Sequence, residues 1–397
     1  MAKALFLSLP LAGHIHPSLS LVEELVARGD EVVYYATDAF TRGIEQAGAR
    51  YRPYRNAFLA DIRLQERLHK LSWLLMKTTA EVLDEHLEEF RAECPDYLIT
   101  DSVAPWGQWV AEILRLPVVT SVSTFAFNRR VLAFAAAHGV RPRSARLLLS
   151  KLRHIVKTLR LRRQLGLRYG VRGPGITGLV VGRSDLNIVY TSRYFQPCAE
   201  TFDNHFQFVG PSLRNREETA GFPWDEVRSP VIVYASLGTL FNTDAGFYRN
   251  CFEAFQGENL QVILSIGSNV GRESLGPAPA NFIVQRHVPQ LDVLRRAAAF
   301  VTHGGMNSVS ESLQHGVPVV VVPQMSEQAM VGRRVEELGA GLYLAKEDVT
   351  AEKLRASVQR LLIEPRFRRE AAVVRESFRT AGGGARAADA ILPFTRG

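Results

Sequence analysis

The chain has 397 residues, 46% of them apolar and 22% charged, with a formal net charge of +8 at pH 7. That length exceeds what one hydrophobic core can use, so two domains are expected, and no run of about 18 apolar residues is present to span a membrane. Cys94, Cys198 and Cys251 stand far apart without CxxC or metal-ligand spacing, which argues against a disulfide scaffold or zinc site and fits a reducing cytoplasm. The positive charge is local. No acidic residue lies between Glu112 and Asp185, where fifteen basic ones do, and without them the chain is net acidic. A nucleic-acid partner is therefore not expected.

In chain order, the opening apolar run reads as a buried strand over 4–9. It is too short and too weakly basic for a secretory signal, and a Gly-His turn follows at once. A helix comes next, opened by Pro17 near its first turn and carried by Leu19, Leu21, Val22, Leu25 and Val26. Gly29 ends it, and 31–36 makes a strand, completing a unit with the length of a parallel crossover. Strands over 97–100 and 117–122 flank a helix over 104–114. The stretch 206–230, punctuated by Gly210-Pro211, Gly221, Pro223 and Pro230, reads as an interdomain connection. A second series follows, with strands over 231–236, 261–266, 298–302, 317–322 and 341–344 and a helix over 245–255. The alternation predicts two parallel α/β sheets in tandem, whose ligand-binding edges meet at a shared cleft.

The segment richest in chemistry is Thr302-His303-Gly304-Gly305-Met306-Asn307-Ser308-Val309-Ser310-Glu311, between a predicted strand and a predicted helix. Paired glycines let the backbone approach a ligand, and the amides and dipole of a helix start favour phosphate. Asn307 and Ser308 also suit a plain N-cap. His303 can donate to a diphosphate oxygen, or be an ordinary loop histidine. Ser236-Leu237-Gly238-Thr239 and Pro323-Gln324-Met325-Ser326-Glu327-Gln328 fall at matching strand ends. Glu327 and Gln328 offer the groups that hold hexose hydroxyls, or simply form a polar first helical turn.

At the end of the first strand stands Gly13-His14-Ile15-His16-Pro17. An ordinary histidine pKa of about 6.5 suits proton abstraction at neutral pH, so His14 is the candidate base and His16 its rival. Such a base needs an orienting carboxylate. Asp101 closes the strand over 97–100 at the same sheet edge, although with Ser102 it also suits a helix cap.

The run Arg286-His287-Val288-Pro289-Gln290-Leu291, then His303-Gly304-Gly305-Met306-Asn307-Ser308 with Glu311, then Pro318 with Pro323-Gln324 and Glu327-Gln328, resembles the nucleotide-sugar signature of the UDP-glycosyltransferase family. More narrowly it resembles the bacterial macrolide-glycosyltransferase branch. The resemblance spans nearly the whole chain and is weakest over 58–184. It implies an α/β GT-B fold, two facing doubly wound Rossmann-like domains with a cleft between them. An acceptor-binding domain is expected over 1–208, a linker over 209–230, a nucleotide-sugar-binding domain over 231–375, and a helical tail over 376–397 that can pack back on the first domain. The implied reaction moves a hexose, glucose by expectation, from a UDP-sugar to a hydroxyl of a small lipophilic aglycone such as a polyketide, macrolide or flavonoid. Inversion is implied, and no metal or other cofactor is expected, in keeping with the lack of an Asp-x-Asp pair; dTDP-sugars stay open.

Carried over residue by residue, the backbone near Val288 and Gln290 would hold the base and Glu311 the ribose. Thr239, His303, Asn307 and Ser308 would hold the phosphates, with Ser236 and Gly305 in the same donor-binding set, and Glu327 and Gln328 would take the sugar. His14 matches the base of the family's Gly-His-x-Asn-Pro, with His16 in place of the usual Asn. Asp101 matches the carboxylate in Pro95-Asp96-Tyr97-Leu98-Ile99-Thr100-Asp101.

Two rival functions remain in view: a non-transferring nucleotide-sugar-binding or epimerase-like GT-B protein, and a dinucleotide-dependent oxidoreductase. The one GxGxxG match, Gly173 to Gly178, follows a basic, Gly-broken stretch instead of a buried strand, and reads as a loop. Over 144–165, Leu148, Leu152, Ile155 and Leu159 recur at helical spacing among Lys151, Arg153, Lys157 and Arg160. Such a helix can touch an anionic membrane peripherally, or pack its apolar stripe on its own domain. A cytoplasmic location follows from these expectations, with peripheral membrane contact as the alternative that the basic helix leaves open.

Overall fold

Apolar strands buried on both faces organise the protein, as parallel strands with helices on either side must be. A computed structural model describes residues 2–55, 71–138, 145–174, 184–212, 221–239 and 242–395. The chain forms two units, one of Met1–Phe134, Pro142–Arg214 and Ala381–Gly397, the other of Ala135–Arg141 and Asn215–Thr380.

The first unit holds a parallel sheet of β1 (Lys3–Leu7), β2 (Glu31–Ala36), β3 (Arg50–Pro53), β4 (Tyr97–Asp101), β5 (Val118–Val122), β6 (Leu186–Val189) and β7 (Phe206–Phe208). Its order is β3-β2-β1-β4-β5-β6-β7, so the winding reverses between β1 and β4. Helices α1 (Ala12–Ala27), α2 (Thr41–Gln46), α3 (Leu71–Ala92), α4 (Pro105–Leu114), α5 (Arg129–Ala137) and α6 (Ala145–Tyr169) accompany it. Phe6 faces a core with Ile15, Leu19 and Tyr34, while Leu5 and Leu7 face the opposite core with Trp106 and Trp109, as strand alternation requires.

In the second unit the strands are β8 (Ile232–Ser236), β9 (Gln261–Ser265), β10 (Phe282–Gln285), β11 (Ala297–Thr302), β12 (Val319–Val321) and β13 (Gly341–Tyr343). They are parallel, in the order β10-β9-β8-β11-β12-β13, with the reversal between β8 and β11. The helices are α7 (Ala245–Phe255), α8 (Gln290–Leu294), α9 (Met306–Gln314), α10 (Ser326–Glu337), α11 (Ala351–Ile363) and α12 (Pro365–Arg379). Open α/β sheets bind ligands beyond the strand ends where the winding reverses, so each unit has one such place.

The last helix, α13 (Gly383–Thr395), belongs to the first unit. Ala387, Ala388 and Ile391 are fully buried in the core that holds Phe6 and Leu21. Arg28 on α1 pairs with Asp389 and donates to the Ala385 carbonyl. The expected tail over 376–397 is thus divided, since α12 runs to Arg379 in the second unit.

Three details differ from the sequence expectations. Helix α1 begins at Ala12, with the Leu11 carbonyl accepting from His14 and Ile15, so Pro17 lies in the second turn, where it has no N–H to return to Gly13. Residues Phe206–Phe208, read as part of a connection, pair with β6 as an edge strand. Helix α6 packs along α3 through Thr158, Leu161, Leu165 and Tyr169, and leaves Ile155 and Leu159 exposed. Its side chains up to Leu152 lie outside the described residues. None of the three cysteines is in a disulfide, and no helix among the described residues is long and apolar enough to cross a membrane.

Candidate active site

The reversal point of the first sheet brings together three polar side chains. After β1 the chain turns at Pro10 and enters α1, placing His14 in the first helical turn. Asp101 ends β4, the strand next to β1, and Ser123 follows β5. The His14 Nδ1 lies 2.8 Å from Asp101 Oδ2 and 3.0 Å from the Ser123 hydroxyl. Asp101 is 1% exposed at its side chain and His14 19%. A carboxylate buried to that degree needs donors. It has two: the Val103 N–H donates to Oδ1 at 2.7 Å, and His14 supplies the other. A carboxylate can only accept, so Nδ1 carries the imidazole proton and Nε2 the lone pair. Helix α4 takes Ala104 as its N-cap, so Asp101 is no cap. His16 turns its ring edge to Phe40, at 6.1 Å between centroids, and is not in this group.

The second sheet has its own polar group at the reversal between β8 and β11. Ser236 and Thr302 end these strands as register partners. The Ser236 hydroxyl accepts from Gly238 N–H at 3.1 Å, and Thr302 Oγ1 from Gly304 N–H at 3.3 Å. His303 is hemmed in by glycines. A Cβ on Gly238 would stand 2.6 Å from its ring, and one on Gly305 2.5 Å from Nε2. Gly304, at φ +84°, would bring a Cβ within 2.5 Å of Val321 and 3.0 Å of the Gln328 carbonyl. Burial pushes the His303 pKa down to about 4, so at neutral pH the ring is uncharged and donates through one N–H. Gly305 is the N-cap of α9 and no side chain caps that helix. Asn307 and Ser308 therefore lie inside its first turn, not at its cap.

Farther along α9, Glu311 is buried and accepts from Gln290 Nε2 at 2.6 Å. Gln290 Oε1 in turn accepts from the Tyr234 hydroxyl at 3.1 Å. This chain ties β8, the start of α8 just after Val288, and α9 together. Thr239 is exposed just past β8. At the start of α10, Glu327 is exposed, whereas Gln328 is buried and spends its side-chain oxygen on the backbone. That oxygen accepts from Gln324 N–H at 2.8 Å and Met325 N–H at 3.1 Å, in a capping-box arrangement. Only the Gln328 amino group is then left to meet a sugar.

Sequence reasoning missed several participants. Ser123 had a signal, a small polar residue at a strand end beside Asp101. Tyr234 reads in sequence as one more core aromatic. Asn242 is fully buried, donates to the Gly238 carbonyl at 2.8 Å and accepts from Asn269 at 2.6 Å, pinning the chain after β8. One partner is four residues away and the other twenty-seven, and no local pattern marks Asn242 as their link. Of the GxGxxG match, Gly175 and Gly178 lie outside the described residues. Gly173 follows α6, not a strand, and its N–H donates to Glu112 at 2.8 Å. Among the described residues no group of three or more His, Cys, Asp or Glu side chains could hold a metal ion.

Residues 254–382 match the family described as Erythromycin biosynthesis protein CIII-like, C-terminal domain. The chain is 35% identical over 395 residues to the NDP-glycosyltransferase YjiC of Bacillus subtilis (strain 168), covering 98% of this chain and 96% of that one. It is 33% identical to the demethyllactenocin mycarosyltransferase of Streptomyces fradiae over 405 residues, 98% of this chain and 86% of the other. The solved structure of the glycotransferase of kitacinnamycin superposes with a TM-score of 0.82 at 28% identity, over 99% of this chain and 98% of that one. With two Rossmann-like parallel sheets and full-length likeness of this kind, the chain belongs to the UDP-glycosyltransferase family, in its bacterial macrolide-glycosyltransferase branch, and has the GT-B fold.

Proposed function

We propose that this glycosyltransferase moves a hexose, glucose in the first instance, from a UDP-sugar to a hydroxyl of a small lipophilic aglycone, with inversion and without a metal. The observation that carries the reading is the His14–Asp101 pair at the reversal point of the first sheet, 2.8 Å apart with the carboxylate buried. A protein that only binds a nucleotide sugar has no use for an imidazole held in one tautomer.

In the proposed step the His14 Nε2 takes the acceptor O–H proton as that oxygen bonds to the anomeric carbon. Asp101 stabilises the imidazolium that results. The bond from the anomeric carbon to the diphosphate breaks, and its electron pair leaves on the phosphate oxygen. Uncapped amides at the start of α9 and the neutral His303 N–H are suited to that developing charge. Glu311, oriented by Gln290, is suited to ribose hydroxyls. Glu327 and the Gln328 amino group are suited to the sugar. The Bacillus subtilis relative is called an NDP-glycosyltransferase, a name that does not restrict the donor base, so dTDP-donors belong in any test.

The test is a mass-spectrometric screen of UDP-glucose and dTDP-glucose against phenolic and polyketide alcohols, with and without excess EDTA. A hexose increment with UDP-glucose that survives EDTA and reports an inverted anomeric centre supports the reading. Transfer from dTDP-glucose alone, or full reversible loss on chelation, sinks the corresponding part. We also place the protein in the cytoplasm, where nucleotide sugars are used as soluble co-substrates; fractionation of the native host checks this.

A further inference from the structure

Helix α6 is 25 residues long and contains no acidic residue. Its inner side is settled: Thr158 and Leu165 are buried, and Leu161 and Tyr169 pack with them against α3. On the opposite side Val156, Leu159, Arg160, Arg163 and Leu167 follow one another at i, i+3, i+4, i+7 and i+11, which makes a single outward stripe. Val156 is 45% exposed, Leu159 43% and Leu167 77%. Arg153 and Lys157 border the stripe and are exposed too.

Among the described residues, the Lys and Arg side chains of this helix divide into two sets. Arg162 donates to the carbonyls of Pro174 and Gly173, Arg168 pairs with Asp84, and Lys157 lies 5.8 Å from the Trp73 ring centroid. These three serve the fold. Arg153, Arg160 and Arg163 have no acidic partner among the described residues. A face made for polyanions in water has no need of Val156, Leu159 and Leu167, and a face made for an apolar protein surface is ill served by unpaired guanidinium groups. An anionic bilayer accepts both kinds of group at once. The short apolar side chains enter the boundary of the acyl region, and the long basic ones reach the headgroups.

We propose that the outward stripe of α6 rests on an anionic lipid surface, through Val156, Leu159 and Leu167 with Arg153, Arg160 and Arg163. The inference stands apart from the proposed reaction and does not need it.

The test is co-sedimentation of the full chain with phosphatidylcholine vesicles, with and without about 30% phosphatidylglycerol. We expect partitioning about tenfold or more stronger onto the anionic vesicles at 0.1 M salt, and much of it lost at 0.5 M as the surface charge is screened. Arg153→Gln, Arg160→Gln and Arg163→Gln together should lower the anionic partitioning about tenfold. The three Arg→Lys changes should preserve most of it, and thermal midpoints equal to wild type show that each variant is folded. Leu159→Gln with Leu167→Gln should also weaken it, which a purely electrostatic contact would not show. Equal sedimentation with and without phosphatidylglycerol overturns the proposal. So does indifference to the two leucine changes, and so does tighter binding to single-stranded RNA than to the anionic vesicles.

Discussion

The His14 imidazole is tied through Nδ1 to a buried carboxylate, whereas burial alone holds the His303 pKa down to about 4. His14→Ala should lower turnover by ~10²–10⁴ while UDP affinity, read by calorimetry, stays put. His16→Ala, which removes a ring packed on Phe40, should change turnover by no more than a few-fold. The reverse ranking would assign the base to His16. Asp101→Asn keeps the shape but can donate to Nδ1 and favour the wrong tautomer, so kcat should fall sharply with KM for the acceptor little changed. His303 yields a prediction in pH. Its folded value lies below the ordinary 6.5, so between the two the unfolded chain holds a proton that the folded chain lacks. Stability should therefore fall on acidification from about 6.5 towards about 4, and thermal melts of His303→Asn should fall less over that window. The histidines and Asp101 were legible because strand ends in such sheets are where ligands bind. Tyr234 was not, since its bond to Gln290 exists only once β8 and the start of α8 are brought together.

Elements were legible where the apolar pattern is long. β2 and α7 lie on the residues read for them, 31–36 and 245–255. β3, β6, β7 and β10 have three or four residues each and carry Arg50, Arg52, Asn187 or Gln207, or follow a polar loop, so their signal is weak alone. The register supplied by neighbouring strands makes them strands. Pro17 misled because proline is favoured in a first turn, yet α1 had already closed its first bonds on Leu11. Helix α10 supports a test at this scale. Gln328 closes the turn after β12 with two backbone bonds, so Gln328→Ala should cost about 1 kcal/mol or somewhat more, as cap losses do. Its sugar preference should change as well, and a melt with unaltered discrimination between UDP-glucose and UDP-galactose would leave only the cap.

In the whole molecule, the first unit is completed by residues 381–397, which follow the second unit in sequence. Removing 381–397 deletes Ala387, Ala388 and Ile391 from a core they share with Phe6 and Leu21. Loss of one large buried aliphatic side chain alone costs about 2–5 kcal/mol. Differential scanning calorimetry of the truncated chain should show the transition of the first unit lowered or lost and that of the second retained. A single shared transition that shifts as one would contradict this. The two parallel sheets were visible in sequence as two strand–helix series; the return of α13 was open, because a short alanine-rich helix carries no address. That return also sets a timetable for biosynthesis. Domains are generally finished in the order they are translated. Here the residues that close the core around β1 are made after the whole of the second unit, so the half begun first is finished only once the half begun second has been translated.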